Sequence, residues 1–81
     1  MNLQLTILSS LRLVHPLMMP LGTLWEDVRR ALVPEPSRSD FSHALRVLED
    51  EKRQILVLWG DDRVRVKITA EGIARHEESH S

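Results

Sequence analysis

The feature that most limits what this chain can become lies between residues 54 and 68. Two apolar runs, residues 54–59 and 64–68, flank the polar tetrad Gly60-Asp61-Asp62-Arg63. The second run alternates strictly, with Val64, Val66 and Ile68 on one side and Arg65 and Lys67 on the other. That is the period of a strand with one buried face. A turn centred on Asp61-Asp62 sets Trp59 opposite Val64, Val57 opposite Val66 and Ile55 opposite Ile68. A two-residue or a four-residue loop gives the same register. Every such pair is apolar on both sides, so each supports the other. A β-hairpin over 54–68 is therefore expected, with Ile55, Val57, Val64 and Val66 beneath it, facing the rest of the core.

The residues before and after the hairpin carry helical spacing. Over 3–14, Leu3, Ile7, Leu11 and Val14 form one stripe with Leu8 at its margin, and His15-Pro16 ends the helix. Leu5 and Leu13 fall off that stripe. A second helix is expected over 24–33, since Thr23-Leu24-Trp25-Glu26 matches a capping box. Its inner side would be Leu24, Trp25, Val28, Ala31 and Leu32, and Pro34 and Pro36 follow it. A third helix over 38–51 is capped by Ser37 or Ser39, with Phe41, Ala44, Leu45 and Leu48 inward. Ser39, Ser42, His43, Arg46 and Asp50 lie opposite. The acidic run Glu49-Asp50-Glu51 closes this helix against its dipole, so Lys52 and Arg53 are expected to offset it and close the turn. Thr69 caps a short helix over 70–76, with Ala70, Ile73 and Ala74 inward, and residues 77–81 are expected to fray.

Eighty-one residues make one domain with a modest core. An apolar share of 42% beside 28% charged residues fits an ordered globular chain. The absence of cysteine excludes disulfides and thiolate metal sites. The N-terminal segment lacks the positive region of a signal peptide. The uncharged stretch from residue 13 to 25 is broken by Pro16 and Pro20 and is too short to span a bilayer. A cytoplasmic protein is expected. The net charge of −1 is less basic than a nucleic-acid binder usually carries.

The order helix, helix, helix, hairpin, short helix is that of a winged helix-turn-helix domain, an α+β, mostly helical fold. The stretch Leu45-x-x-Leu48-Glu49, the apolar strand and polar tip, and then Ile68-Thr69-Ala70-Glu71-Gly72-Ile73-Ala74-Arg75 resemble the recognition helix, wing and closing "Leu-Thr-x-x-Gly" element of MarR-like and PadR-like bacterial transcription regulators. Those families often carry glycine just before the first wing strand, where this chain has Glu51-Lys52-Arg53-Gln54. The resemblance implies binding of double-stranded DNA, with the third helix in the major groove and the wing on the backbone. Carried over position by position, Ser39, Ser42, His43 and Arg46 would read bases. Arg38, Arg63, Arg65 and Lys67 would meet phosphate. No cofactor is implied.

A protein-interaction module without DNA binding competes with this reading. Leu5, Leu13, Met18 and Met19 are surplus to the core pattern and are expected to form a homodimer interface. Leu56 and Leu58 share the outer wing face with Arg65 and Lys67, while Trp25 and Trp59 are expected in the core. An enzyme is not expected. Ser42 and His43 are adjacent in a helix and point apart, and no glycine-rich phosphate loop is present. His76-Glu77-Glu78-Ser79-His80 matches the spacing of a zinc protease motif, but at a chain end it lacks a third ligand and a cleft, so no metal site is expected.

Overall fold

A computed structural model describes residues 2–60 and 62–80, with side chains for all of these but His80. The chain runs α1 (Leu3–Val14), β1 (Met19–Pro20), α2 (Leu21–Ala31), α3 (Arg38–Arg46, prolonged by a π-helical turn Val47–Glu51), β2 (Ile55–Trp59), β3 (Val64–Ile68) and α4 (Ala70–His80). It is an α+β fold in which the helices pack on one face of a three-stranded antiparallel sheet of order β1-β3-β2.

The hairpin has the register expected from its apolar pairs, Ile55 with Ile68, Val57 with Val66 and Trp59 with Val64. Asp61, at the expected centre of the turn, lies outside the described residues. Ile55, Val66 and Ile68 are buried, and Val57 and Val64 are half-buried. Trp59 is the exception to its expected place, 77% exposed. It sits at the far end of β2, beside an open groove that Leu21 of α2 and Ser42, Leu45 and Arg46 of α3 border without filling.

A third strand was not legible in the sequence. Met19 pairs with Val66 and Pro20 with Arg65, which turns the hairpin into a sheet. This moves the start of α2. The helix begins at Leu21, and its N-cap position is Pro20 at φ −59, with no side-chain cap. Proline's fixed φ suits a helix entry, so the Thr23 capping box does not form. The helix also ends earlier than expected, at Ala31, which is exposed, before Val33-Pro34.

The other boundaries follow local chemistry. Asn2 caps α1, its Oδ1 accepting from the Gln4 amide at 2.7 Å. Ser37 rather than Ser39 caps α3, its Oγ accepting from the Asp40 amide at 3.0 Å. The core joins Ile7, Leu8 and Leu11 of α1 to Leu24, Val28, Phe41, Ala44 and Leu48, with Met19, Ile55, Val66 and Ile68 from the sheet. Helix α4 does not fray at His76. It continues to His80, held to α1 by Ser9 Oγ and His76 Nε2 at 3.0 Å and by Arg12 and Glu77 at 3.9 Å.

The junction between β3 and α4 explains the closing element in physical terms. The Thr69 amide donates to Gln54 O, and its Oγ1 donates to Arg53 O at 2.7 Å while accepting from the Gly72 amide at 3.1 Å. Gly72 itself is buried, and a Cβ there would collide with Gln54 O and with Ile68 Cγ1 at 2.6 Å. Only glycine lets α4 lie this close to the strand. Two residues before β2, Arg53 adopts φ 54, in the left-handed region where glycine is usual. Gly72→Ala is expected to lower stability by about 1–3 kcal/mol through overpacking. Arg53→Gly should raise it by about 1 kcal/mol, because an L side chain is strained in that conformation. Thermal or urea unfolding of both variants checks the pair of opposite signs.

Candidate functional site

The third helix presents a face that no other element covers. Phe41, Ala44 and Leu48 are buried on one side, and Ser39, Ser42, His43 and Arg46 are exposed on the other. Its first turn is anchored by a short aromatic stack. The Trp25 ring tilts at 50° against Phe41, their centroids 5.0 Å apart, and the Arg38 guanidinium carbon lies 5.3 Å over the Trp25 ring. Core packing thus holds Phe41, Phe41 and Trp25 support each other, and Trp25 fixes a cation at the start of the helix.

The exposed residues spread over a wide arc. His43 turns toward the N-terminus of α1, where a shallow hollow is lined by Asn2, Gln4 and the loop 34–36. Ser42 and Arg46 turn the other way, into a groove of about 380 Å³ bounded by Leu21, Leu45, Glu49, Asp50, Val57 and Trp59. Among the described residues, no carboxylate forms an ion pair with Arg46 or Arg38. The cations of α2 are engaged: Arg29 with Glu26 at 2.6 Å and Glu35 at 3.4 Å, Arg30 with Asp27 at 3.6 Å. The hydrogen bond from Arg29 holds the Glu26 carboxyl below the usual carboxylate range.

The hairpin cations do not join this face. Val57 and Trp59 line the groove beside α3, so the intervening positions point to the opposite side of the sheet. Arg65 and Lys67, registered against Leu58 and Leu56, therefore lie on the outer face of the sheet, away from Ser42 and Arg46. Arg63 precedes β3 at the hairpin end and is exposed. The eight sequence-predicted contact residues thus divide into an α3 group of Arg38, Ser39, Ser42, His43 and Arg46, an outer sheet group of Arg65 and Lys67, and Arg63 between them.

The acidic run has a use that sequence reasoning missed. Glu49 Oε2 accepts a hydrogen bond from the Val57 amide at 2.9 Å, tying the π-helical turn to the open edge of β2. Lys52 does not offset this run but reaches Gln4 Oε1 of α1 at 2.8 Å. Both contacts join residues far apart in the chain or in different elements, so only the assembled fold reveals them. Of the expected interface residues, Met19 is buried in the core, where β1 pairs it with Val66, and Leu5 packs against that core. Met18 is half-buried, and Leu13 is 87% exposed, with Leu17 nearby at 70%.

Ser9 and His76 stand at a distance that suits a nucleophile and its base. Ser9 lies inside α1, where backbone amides are spent in the helix, so no backbone donor is left beside it for an oxyanion. The pair acts as a tie between helices. Among the described residues, no three His, Cys, Asp or Glu side chains are grouped to hold a metal ion, and the His80 side chain lies outside the description. Among the described residues, no helix is long and apolar enough to cross a membrane. Comparison of the chain with protein-family models, curated proteins and solved structures finds no significant match.

Proposed function

We propose that the chain is a winged helix-turn-helix domain that binds duplex DNA through α3. The observation that carries this reading is the uncovered outer face of α3, polar throughout and bearing two cations without ion-pair partners among the described residues. The element order α1-β1-α2-α3-β2-β3 supports it, as does a sheet whose hairpin projects beside that helix. A helix fits the major groove, and arginine pairs with two acceptors of guanine. In this reading Arg46, beside Ser39 and Ser42, reads bases, and Arg38, held by Trp25, meets phosphate. A second copy joined through Leu13 belongs to the same reading, since paired domains read two half-sites.

A second reading, a protein-binding module, is favoured by the exposed Leu56, Leu58 and Trp59. The two are separated by titrating the protein against a selected duplex and a scrambled one at two salt concentrations. Arg46→Ala is expected to weaken specific binding by about 1–3 kcal/mol and to relax one base position. Arg65→Ala and Lys67→Ala are expected to leave affinity and salt slope nearly unchanged, because they lie on the far face of the sheet. If no selected duplex is bound at low salt, the DNA reading falls and the protein-binding reading replaces it.

The dimer is tested by sedimentation. Leu13→Glu should give a folded monomer, whereas Leu5→Ser should lower the melting temperature without acting through association. A monomeric unmodified protein at high concentration would end the dimer proposal.

A further inference from the structure

The helices pack on one face of the sheet and leave the other bare. Met19, Val57, Val66 and Ile68 turn toward the helices, so Pro20, Leu56, Leu58, Arg65 and Lys67 turn outward. The register sorts these five into rows. Arg65 and Lys67 form a cationic row along β3, Leu56 and Leu58 form an apolar row opposite them on β2, and Pro20 flanks Arg65 on β1. No acidic residue occupies any position of the three strands. The nearest described carboxylates along β3, Asp62 and Glu71, lie in the turn and in α4, and neither pairs with Arg65 or Lys67. Beyond the β2 edge, Glu49 and Asp50 share a hollow with Leu56 and Arg53, and Glu49 there is bonded to the Val57 amide. The face itself is cationic.

A face of side chains offers no backbone group to a ligand. Whatever lies on it must satisfy its own backbone hydrogen bonds, as a helix does. The dimensions agree. Alternate residues of a strand are about 7 Å apart, and residues four apart on a helix rise about 6 Å. Neighbouring strands lie about 5 Å apart, close to the spacing of residues three apart on a helix surface.

We propose that this face docks an acidic amphipathic helix of another protein. An apolar row of that helix packs on Leu56 and Leu58, and the carboxylate row beside it pairs with Arg65 and Lys67. The sheet is then covered on both faces. Other occupants match less of the face. A second copy of the same face brings no carboxylate to either cation. A phosphate backbone would take the cations and leave the leucines against polar groups. A lipid surface takes apolar groups that reach into the acyl boundary, whereas Leu56 and Leu58 lie low, 42% and 46% exposed against 77% for Trp59. The docking is independent of DNA binding by α3, which packs on the other side of the sheet.

The test follows amide shifts of the whole protein as a capped helical peptide is added. The peptide carries leucine at every fourth position, glutamate three residues after each leucine, and alanine and glutamine elsewhere. The Leu56, Leu58, Arg65 and Lys67 amides should shift, and those of α3 should not. A peptide of the same composition with its rows scrambled should bind at least about tenfold more weakly. Arg65→Glu combined with Lys67→Glu should weaken the first peptide at least about tenfold and favour a version with lysine for glutamate, with the melting temperature unchanged. Leu58→Gln, which keeps both cations, should weaken the first peptide about tenfold. Equal shifts with the scrambled peptide, or none with the first, would overturn the proposal. Shifts of the same four amides with a DNA duplex or phosphatidylserine vesicles, and none with the peptide, would overturn it by naming another occupant. Concentration-dependent shifts of these amides without peptide would do so by making a second copy the occupant.

Discussion

Strand β3 carries the load of this fold through two buried side chains, Val66 and Ile68. Val66 lies between Met19 on one side and Val57 on the other, so the sheet exists only because β3 has partners along both edges. Ile68 closes the strand against Gly72, and the absence of a Cβ there sets how closely α4 approaches. Helices α1, α2 and α4 all pack on β3. A chain of this size has one core and little apolar surface to spare. Loss of the β3 contacts would therefore separate the hairpin from the helices as well as the strands from one another.

Around that strand, backbone groups that helices and strand edges leave open are met by side chains in four places. Asn2 and Ser37 serve helix starts, Thr69 serves the turn into α4, and Glu49 serves the edge of β2. Asn2, Ser37 and, toward Gly72, Thr69 act within three residues of their own position, while Thr69 Oγ1 also reaches back 16 residues to Arg53 O. Glu49 acts across eight residues and two elements. Its position in a π-helical turn follows from the same closure, in which the Lys52 amide reaches back to Val47 O. An acidic residue at a helix C-terminus is unfavourable by the dipole alone, and the strand amide supplies the compensating partner.

The surface divides its charges in a way that net charge conceals. A total of −1 arises from 11 basic and 12 acidic residues, yet these are not evenly mixed. The α2 arginines are tied to neighbouring carboxylates, Arg38 and Arg46 stand on α3, and Arg65 and Lys67 stand with Leu56 and Leu58 on the outer sheet face. The β2 edge bears Glu49, Asp50 and Arg53 beside an exposed indole. Three surfaces of different chemistry thus sit on one small domain: a polar helix face, a cationic apolar sheet face and an apolar edge of mixed charge.

What the sequence by itself determined is whatever depends on neighbours close in the chain. The span of α1, a serine cap at the start of α3 and the hairpin register follow from periodicity, a capping side chain and paired apolar positions, all readable within a few residues, although which of Ser37 and Ser39 caps was settled only by the fold. The outward face of α3 was legible for the same reason. Tertiary structure decided where local signals competed or were silent. Met19-Pro20 is too short to show a strand period, so its pairing with β3, and with it the start of α2 at Leu21, came only from the assembled sheet. The tail 77–80 carries little helical signal and is helical because α1 lies beside it. Trp59 has the inward position of its strand, but burial needs something packed beneath that position, and only the assembled molecule reveals that an open groove lies there.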